Sequence, residues 1–391
     1  MARSLGEELV TLRRDLHRHP EPSFQEVRTA GIAAEACRAE GFRVTTGIAR
    51  TGVVAEIGGS GDGTGEPDGE PVVALRADMD ALPITEENTH DHASRVPGWM
   101  HACGHDAHVA GLVGVARLLG TLAREGRLPP GRIRLLFQPS EEGMDDEGKS
   151  GARRMVEEGA MEGVRQVFGL HVGSHLPRGR VVLEPGPFFA GSDELFATVR
   201  GRSSHAARPH EGVDAVVLAA HVVTAAQQVV ARRLSPTDTG VLTFGKIHGG
   251  TAQNIIADRV RLEGTLRYFD PAVRRRLREG VEGAMEVARA LGGEAELTIR
   301  DGYPPLVNDP AATDRARRAA VEVLGPDALL RAEPTLGAED FAYLAREAPG
   351  AFMWLGAALP DPREHHHPRF DIDDSVLPMA SALLARMALL S

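Results

Sequence analysis

Potential metal ligands cluster in the segment MHACGHDAHVAG, residues 100–111. Cys103 and His105 are two residues apart, so on a helix they would point to different faces. We therefore expect them to act from a loop that leads into a helix beginning near Asp106. A thiolate and an imidazole presented by one loop are suitable ligands for a zinc-type transition metal. His101 and His108 are additional imidazoles in the same segment.

A pair of carboxylates, Glu141 and Glu142, follows the predicted strand 132–138 in the sequence IRLLFQPSEEG. In open α/β sheets, ligands bind beyond the carboxyl ends of strands. Adjacent carboxylates usually lie on a solvated surface. Beside a metal the two carboxylates can have different roles, because one can be a ligand while the other takes a proton from the attacking water.

Other polar side chains also follow predicted strands. Asp78 and Asp80 come after the apolar run VVAL, His171 ends the strand 166–170, and three consecutive histidines lie in REHHHPRFDID before the last helix. Together with Cys103 and the glutamates, they predict a metal site at strand ends. Carboxylates left over, Asp80 and Asp106, could orient the imidazoles, although Asp106 also stands at a natural helix-capping position.

The elements that must position these residues alternate between strand and helix along most of the chain. This pattern predicts an α/β fold, with a discontinuous catalytic domain and a mixed, largely parallel sheet carrying the metal site at its strand ends. In the middle of the chain the order becomes β-α-β-β-α-β, the split unit of ferredoxin-like folds. We predict a discontinuous domain at 1–188 and 303–391 with a smaller α+β domain inserted at 189–302; the family resemblance described below implies that the first is the catalytic domain and the second a lid or dimerisation domain.

A glycine-rich acidic stretch, GGSGDGTGEPDGE at residues 58–70, separates the predicted strands 52–57 and 71–76. Its composition is typical of an exposed flexible loop. We interpret it as a hairpin connection between the two strands and not as a domain boundary.

The composition narrows the class of protein. The chain has 391 residues, 55 Asp and Glu against 44 Lys and Arg, and a formal net charge of −11, which disfavours nucleic acid and anionic membranes as partners. The longest apolar stretch is interrupted by Arg117 and is short for a membrane span. The N-terminus lacks the apolar core of a signal peptide, and two cysteines cannot form a disulfide framework. We expect a cytoplasmic protein.

The sequence resembles the metal-dependent aminoacylase, carboxypeptidase and hippurate hydrolase superfamily, in its N-acyl-amino-acid amidohydrolase branch, which includes the auxin-conjugate hydrolases. The resemblance covers nearly the whole chain. It depends on a series of motifs in order: LRRDLHRHPEPSFQE, RADMDALP, HACGHDAH, QPSEEG, GLHV, GRSSHAARPHEGVDA, GGTAQNIIAD, GTLR, GAEDFAYL and HHPRFDID. The chain departs from the family pattern in MDDEGKSG after QPSEEG and in GSHLP after GLHV.

The resemblance implies a site for two divalent metal ions, with zinc, manganese, cobalt and nickel all compatible with the mixed ligands. Cys103 would bridge the ions, and the other implied ligands are His105, Glu142, His171 and His366. His366 is selected over His365 and His367 because it stands two positions before the proline of the last motif. Glu141 falls on the family's general base, and Asp80 would orient a ligand.

Four residues of the inserted domain and its surroundings also match the family. His205 would donate a hydrogen bond to the substrate carbonyl oxygen, commonly across a dimer interface, so the resemblance implies a homodimer or a higher homo-oligomer. Asn254 and Arg267 would hold the free carboxylate of the substrate, for which an arginine fork is well suited. Gly337 would offer backbone contacts. Three of them have a plain alternative: His205 as a surface histidine, Arg267 as an exposed strand residue and Gly337 as an ordinary turn glycine.

The resulting hypothesis is hydrolysis of the amide bond of an N-acyl-amino acid or a short peptide. A dipeptidase or carboxypeptidase activity could use the same residues. A thiol hydrolase with Cys103 as nucleophile would not explain Glu141, Glu142 and His171. A non-catalytic protein with a structural metal site would need four ligands and no free carboxylate, which leaves Glu141 without a purpose.

Overall fold

The computed structural model describes residues 2–58 and 72–390, which form two compact units. The first unit comprises Met1–Phe188, Val307–Glu333 and Asp340–Ser391, and the second comprises Phe189–Leu306 and Pro334–Glu339. The sequence analysis placed 303–306 and 334–339 in the catalytic domain, whereas here they belong to the second unit. Backbone pairing holds them there: Ser192 N donates to the carbonyl oxygen of Tyr303 at 2.9 Å, and Ala190 N donates to those of Thr335 and Gly337 at 3.1 and 2.9 Å.

Helices and strands alternate in the first part of the chain, as the sequence predicts. In chain order the elements are α1 Gly6–Arg18, α2 Val27–Ala39, β1 Arg43–Ile48, β2 Gly52–Gly58, β3 Val72–Asp78, α3 His105–Arg124, β4 Arg132–Gln138, α4 Gly151–Glu157, β5 Val164–Gly173, β6 Val181–Val182 and β7 Gly186–Phe189.

The middle of the chain has the predicted β-α-β-β-α-β order. Its elements are β8 Gly191–Arg200, α5 Ala215–Gln228, β9 Gly240–Gly249, β10 Arg259–Tyr268, α6 Pro271–Ala290 and β11 Glu294–Asp301. The strands form an antiparallel sheet in the order β11-β8-β10-β9, which is the ferredoxin-like arrangement. Helix α5 ends at Gln228, and the chain continues as a π-helical turn, Val229–Arg233.

The remaining elements return to the first unit. They are β12 Leu306–Asn308, α7 Pro310–Leu324, β13 Leu329–Leu330, α8 Phe341–Glu347, β14 Gly350–Gly356 and α9 Leu377–Leu389. Short 3₁₀ turns lie at Ala2–Leu5, Pro209–Glu211, Pro326–Ala328 and Asp374–Val376.

The sheet of the first unit has eight strands in the order β1-β2-β4-β3-β5-β14-β6-β13. Its centre, β4-β3-β5-β14, is parallel throughout, which confirms the predicted largely parallel sheet. The hairpin prediction for β2 and β3 is wrong, because β4 lies between them, antiparallel to β2 and parallel to β3. Residues 59–70 of the predicted loop lie outside the described residues.

Helix α3 is almost wholly buried against the sheet and the C-terminal helix. Its side chains from His105 to Ala116 are all buried, and Ser381 Oγ in α9 donates to the carbonyl oxygen of Gly111 at 2.8 Å. This packing fixes the N-terminus of α3, where Cys103 and His105 lie, relative to the sheet.

Two helices have the length and apolar composition of a membrane span, His105–Arg124 and Ala215–Arg233. In the first, 78% of the apolar window is buried inside the structure. In the second, the buried face, including Leu218 and Val222, packs in the core of the second unit. Core helices of globular proteins commonly have this length and apolar composition, so these two features are only weak evidence for a membrane segment.

Candidate metal centre

The polar residues that the sequence analysis found after predicted strands gather at one edge of the parallel sheet. Asp78 ends β3, Glu141 and Glu142 follow β4, His171 lies near the end of β5, and the chain leaving β14 leads to His366. Because these strands are parallel, their carboxyl ends meet at the same edge. The sequence pattern of polar residues after strands therefore corresponds to a single location in the first unit.

The buried carboxylate of Asp80 makes hydrogen bonds with several residues at this edge of the sheet. Its Oδ1 and Oδ2 accept from the backbone nitrogens of Glu141 and Glu142 at 3.1 and 3.0 Å, and Oδ2 also accepts from Ser23 Oγ at 2.7 Å. His105 Nδ1 lies 3.2 Å from Oδ1 and 2.9 Å from the Asp80 carbonyl oxygen. Asp80 thus contacts an imidazole and the backbone of both glutamates.

Two groups of ligand atoms share the thiol of Cys103. Cys103, His105 and His171 offer atoms that all lie within 4.8 Å of one another, and so do Cys103, Glu142 and His366. Cys103 Sγ is 3.3 Å from His171 Nε2, and His366 Nε2 is 3.1 Å from Glu142 Oε1. One thiol common to two groups is an arrangement that can hold two cations with a bridging sulfur.

The three consecutive histidines have different surroundings. His365 Nε2 donates to the carbonyl oxygen of Val172 at 2.9 Å, and His367 Nδ1 accepts from the backbone nitrogen of Arg369 at 3.0 Å. His366, whose backbone adopts a positive φ of 64°, is the one that reaches Glu142. The geometry thus favours His366 among the three as the metal ligand.

The charges at this edge suit a cation. Burial lowers the pKa of His105, but the carboxylates of Asp78, Asp80 and Glu142 outweigh it and raise that pKa to about 10. The Nε2 atom of His105 is buried and has no hydrogen-bond partner among the described residues. A metal ion would take up both the unused nitrogen and the excess negative charge, so the residues present fit the implied metal.

The Cys103 and His171 contact could also be a catalytic pair in a thiol hydrolase, but the local electrostatics oppose it. Burial raises the pKa of the Cys103 thiol well above its ordinary value, and Glu142 and Glu141 act in the same direction. Burial also lowers the pKa of His171 well below its ordinary value. Since reactive cysteines need a lowered pKa, the protein groups alone favour a neutral thiol, and a bound cation would be needed to deprotonate it.

Gly104, between Cys103 and His105, has a φ of +89°, and a Cβ there would lie 2.4 Å from Val172 Cγ2. We expect Gly104→Ala to displace the ligand loop and to lower zinc affinity by at least about tenfold. The matched control is Gly126→Ala, which has a φ of +64° but an open surrounding. Equal zinc affinity of the two variants, measured by competition with a chromophoric chelator, would contradict this expectation.

A buried network behind the site was not anticipated from the sequence. Arg76 Nη1 donates to Asp78 Oδ2 at 2.7 Å, and Arg76 Nη2 donates to Asp340 Oδ1 at 2.9 Å. Asp78 Oδ1 contacts His108 Nδ1, while His108 Nε2 accepts from Val172 N at 2.9 Å, so both nitrogens of His108 are engaged within the protein. The sequence feature that could have indicated this network is Arg76, a charged residue inside the apolar strand VVALRAD.

Asp106 lies in the first turn of α3 but does not orient a predicted ligand. Its Oδ2 lies 2.8 Å from Arg13 Nε and 2.7 Å from His17 Nδ1, and its Oδ1 accepts from Ala107 N at 3.0 Å. The expectation that it would orient a metal-bound imidazole of this site is therefore corrected. All of its described contacts are with residues outside the two ligand groups.

The Arg13–Asp106 ion pair is fully buried, so we expect Asp106→Asn to lower the free energy of unfolding by about 3 kcal/mol at pH 7 in chelator. Burial raises the pKa of Asp106, but Arg13 and His17 outweigh it and hold that pKa well below its ordinary value. The contribution of the Asp106 carboxylate to the free energy of unfolding is therefore present above its unfolded-state pKa of about 4 and is lost as pH falls below it. Denaturant unfolding measured from pH 7 to pH 3 should show the difference in free energy of unfolding between wild type and Asp106→Asn becoming smaller. A difference that grows as pH falls would contradict the role given to the Arg13–Asp106 ion pair.

The remaining predicted residues lie in the second unit. His205 is exposed, and its Nδ1 accepts from Ala207 N at 3.1 Å, which leaves the proton on Nε2. His205 pairs with Ile255 in an isolated antiparallel bridge, and the adjacent Ala206 N donates to the Asn254 carbonyl oxygen at 3.0 Å. Arg267 in β10 is half-buried and pairs with no carboxylate in the described part of the chain. Gly337 is exposed and lies in the segment 334–339, whose last residue, Glu339, is buried.

Comparisons with known proteins agree with this geometry. The model of peptidase family M20/M25/M40 matches residues 74–390. The chain is 37% identical over 390 residues to N-acetyl-L-cysteine deacetylase of Bacillus subtilis, covering 98% of this chain and 88% of the relative. It is 36% identical over 392 residues to thermostable carboxypeptidase 1 of Saccharolobus solfataricus, covering 98% and 96%. A solved Bacillus subtilis structure, described as a dinuclear metal-binding peptidase of family M20, has a TM-score of 0.82 and 34% identity, covering 99% and 98%.

The chain therefore belongs to the peptidase family M20/M25/M40. It is a metal-dependent hydrolase of amide bonds, as the hydrolase relatives and the metal-ligand groups together indicate. The family resemblance drawn from the sequence motifs is confirmed.

Proposed function

We propose that the protein hydrolyses the amide bond of N-acyl-amino acids, releasing a carboxylate and a free amino acid. One observation carries the proposal: Cys103 belongs to two ligand groups, and the buried Glu141 is held beside them by Asp80. This arrangement provides two cation positions and one more carboxylate than the ligand groups use. The deacetylase and carboxypeptidase relatives act on substrates of this chemical kind, as their names state.

Bound metal ions would be held by Cys103, His105, Glu142, His171 and His366, and would supply Lewis-acid chemistry that polarises the amide carbonyl and acidifies water. Glu141 is assigned the proton transfers. It takes a proton from the attacking water and delivers it to the departing amine nitrogen. A carboxylate used as a ligand could not do this as freely, so the two adjacent glutamates have different roles.

The free carboxylate of the substrate is assigned to Arg267 and Asn254, with Gly337 offering backbone contacts. Arg267 suits this role because its guanidinium is half-buried and is paired with no carboxylate of the described residues. Guanidinium forks bind carboxylates through two parallel hydrogen bonds. His205 is assigned to the substrate carbonyl oxygen, for which the Nε2–H tautomer set by Ala207 provides the required donor.

A substrate panel tests the proposal. The protein is dialysed against zinc, manganese, cobalt or nickel and assayed on N-acetyl-amino acids, N-benzoyl-amino acids and unblocked di- and tripeptides. We expect the highest kcat/KM on acylated amino acids that have a free carboxylate, and little turnover of their methyl esters. Preference for unblocked peptides would favour a dipeptidase or carboxypeptidase. No turnover with any metal would favour a non-catalytic protein with a structural metal site.

The assignment of His205 to the substrate of another subunit implies a homodimer or a higher homo-oligomer. The same proposal includes a small-molecule substrate, no nucleic acid partner and a cytoplasmic location, consistent with the net charge of −11. Light scattering combined with size-exclusion chromatography measures the oligomeric state directly, and a monomer would refute the action of His205 between subunits.

A further inference from the structure

A second set of metal-ligand side chains lies in the first unit, separate from the residues assigned above. It comes from α1, from the segment between β3 and α3, and from the segment after the histidine triplet. Its members, which we call the His90 cluster, are His17, Glu86, His90 and Asp371. None of the four has been assigned to the Cys103 site.

The separations within the His90 cluster match those of ligands around one ion. His90 Nε2 is 3.6 Å from Glu86 Oε1 and 3.6 Å from Asp371 Oδ2, and His17 Nε2 is 3.3 Å from Glu86 Oε1. Atoms bound tetrahedrally to zinc at its usual distances lie roughly 3.3–3.6 Å apart. Both ring nitrogens of His90 are buried and have no hydrogen-bond partner among the described residues.

The protein holds other atoms of these residues so that the ligand atoms converge. His17 Nδ1 contacts Asp106 Oδ2 at 2.7 Å, which aims Nε2 at the cluster. Glu86 Oε2 accepts from Ser94 N at 2.6 Å, which leaves Oε1 to face both imidazoles, with Asn88 Nδ2 also 2.9 Å from Oε1. A carboxylate behind a ligating imidazole is a common feature of protein metal sites.

Negatively charged side chains outnumber guanidinium groups around the His90 cluster, which is compatible with a divalent cation. Arg13 is fully buried and lies between Asp106 and Asp371, with Nη1 2.9 Å from Asp371 Oδ1. Asp371 Oδ2 lies 3.6 Å from His90 Nε2 and 3.7 Å from His92 Nε2. Arg14 pairs with Asp374 at the exposed side. The two guanidinium groups thus pair with the carboxylates of Asp106, Asp371 and Asp374. The carboxylate of Glu86 faces the imidazoles of His17 and His90, so four carboxylates accompany two guanidinium groups.

His92 is close by but is unsuited to bind the same ion. Its ring stacks on that of His90 with centroids 3.6 Å apart and planes 7° apart. An imidazole lone pair lies in the plane of its ring, so two parallel rings cannot both direct lone pairs at one ion between them. In addition, Arg13 Nη1 lies 3.3 Å from His92 Nε2. His92 therefore supports the ring of His90 from one side.

We propose that the His90 cluster is a structural site for one zinc-type divalent ion, bound by His17, Glu86, His90 and Asp371. The ion ties α1 to the two segments that carry Cys103 and His366. The inference does not depend on the proposed catalytic function, because none of its ligands takes part in it.

Zinc stoichiometry of the full-length protein tests the proposal. Protein stripped with chelator is loaded with Zn²⁺ alone, passed through a desalting column and analysed by inductively coupled plasma mass spectrometry. We expect His90→Phe to bind one zinc ion fewer per chain than wild type. His92→Phe is the matched control, since it keeps an aromatic ring in the stack and should bind as much zinc as wild type.

A variant of the other site separates the two proposals. Cys103→Ala/Glu142→Ala should retain one zinc ion per chain, and adding His90→Phe to it should remove that ion. In the parent double variant, Co²⁺ should give d–d absorption without a sulfur-to-cobalt charge-transfer band. The proposal is overturned if His90→Phe binds as much zinc as wild type, or if His92→Phe loses the ion as well. Thermal unfolding with and without Zn²⁺ verifies that each variant folds.

Discussion

Glu141→Gln is expected to reduce kcat by at least about 10³-fold while leaving two metal ions bound at the Cys103 site. The amide keeps the shape of the side chain but cannot accept a proton from water. Glu141 is buried, and its backbone is held by Asp80, so the substitution should not move the loop. Steady-state kinetics and metal analysis on the same preparation measure both quantities.

Glu142→Gln is the matched comparison on the adjacent residue. Because Glu142 is assigned as a ligand beside His366 and Cys103, its substitution should lower metal content and activity together. The division of roles between the glutamates would be wrong if Glu141→Gln lost metal and Glu142→Gln retained it, or if Glu141→Gln kept normal turnover.

His205→Ala is expected to lower kcat by about 10²–10³-fold, the usual effect of removing one hydrogen-bond donor to the carbonyl oxygen in the transition state. Metal content should not change, because His205 is in the second unit and is in neither ligand group. His210→Ala is the control, since His210 lies in the same loop with 78% of its side chain exposed. A loss confined to KM, with kcat unchanged, would contradict a role in the transition state.

Complementation decides whether His205 acts between subunits. Co-expression of His205→Ala with Glu141→Gln should restore about a quarter of wild-type activity if each active site combines residues from two chains, because only mixed dimers contain one intact site. Activity that stays at the level of the separate variants would place His205 and Glu141 of one chain in the same site.

Much of the fold could be predicted because the hydrophobic pattern was strong. The strand 132–138 was predicted with the bounds that β4 has in the structure, and the β-α-β-β-α-β order in the middle of the chain was predicted as it is found. Strand β1, RVTTGI, was missed because it lies at the sheet edge and is mostly exposed, so it lacks an apolar run. The wrong hairpin has a different cause: sequence adjacency of β2 and β3 gives no information about β4, which inserts between them from 74 residues downstream of β2.

The position of the site was predictable since its residues follow strands, and parallel strands bring their ends together. The choice of His366 over its neighbours depended on the family motif, and the contacts of His365 and His367 now give it a geometric reason. The partners of Asp106 could not be predicted, because Arg13 and His17 are distant in the sequence and lie in an ordinary amphipathic helix. The His90 cluster was missed for the same reason, as its ligands come from three separated segments.

The most direct test of the account is a crystal structure of the zinc-loaded protein with anomalous differences recorded at the zinc edge. We predict two peaks, about 3.5–4 Å apart, on either side of Cys103 Sγ, with His105 and His171 on one ion, Glu142 and His366 on the other, and the carboxylate of Glu141 bound to neither. A map with no zinc at Cys103, or with Glu141 as a ligand, would contradict it.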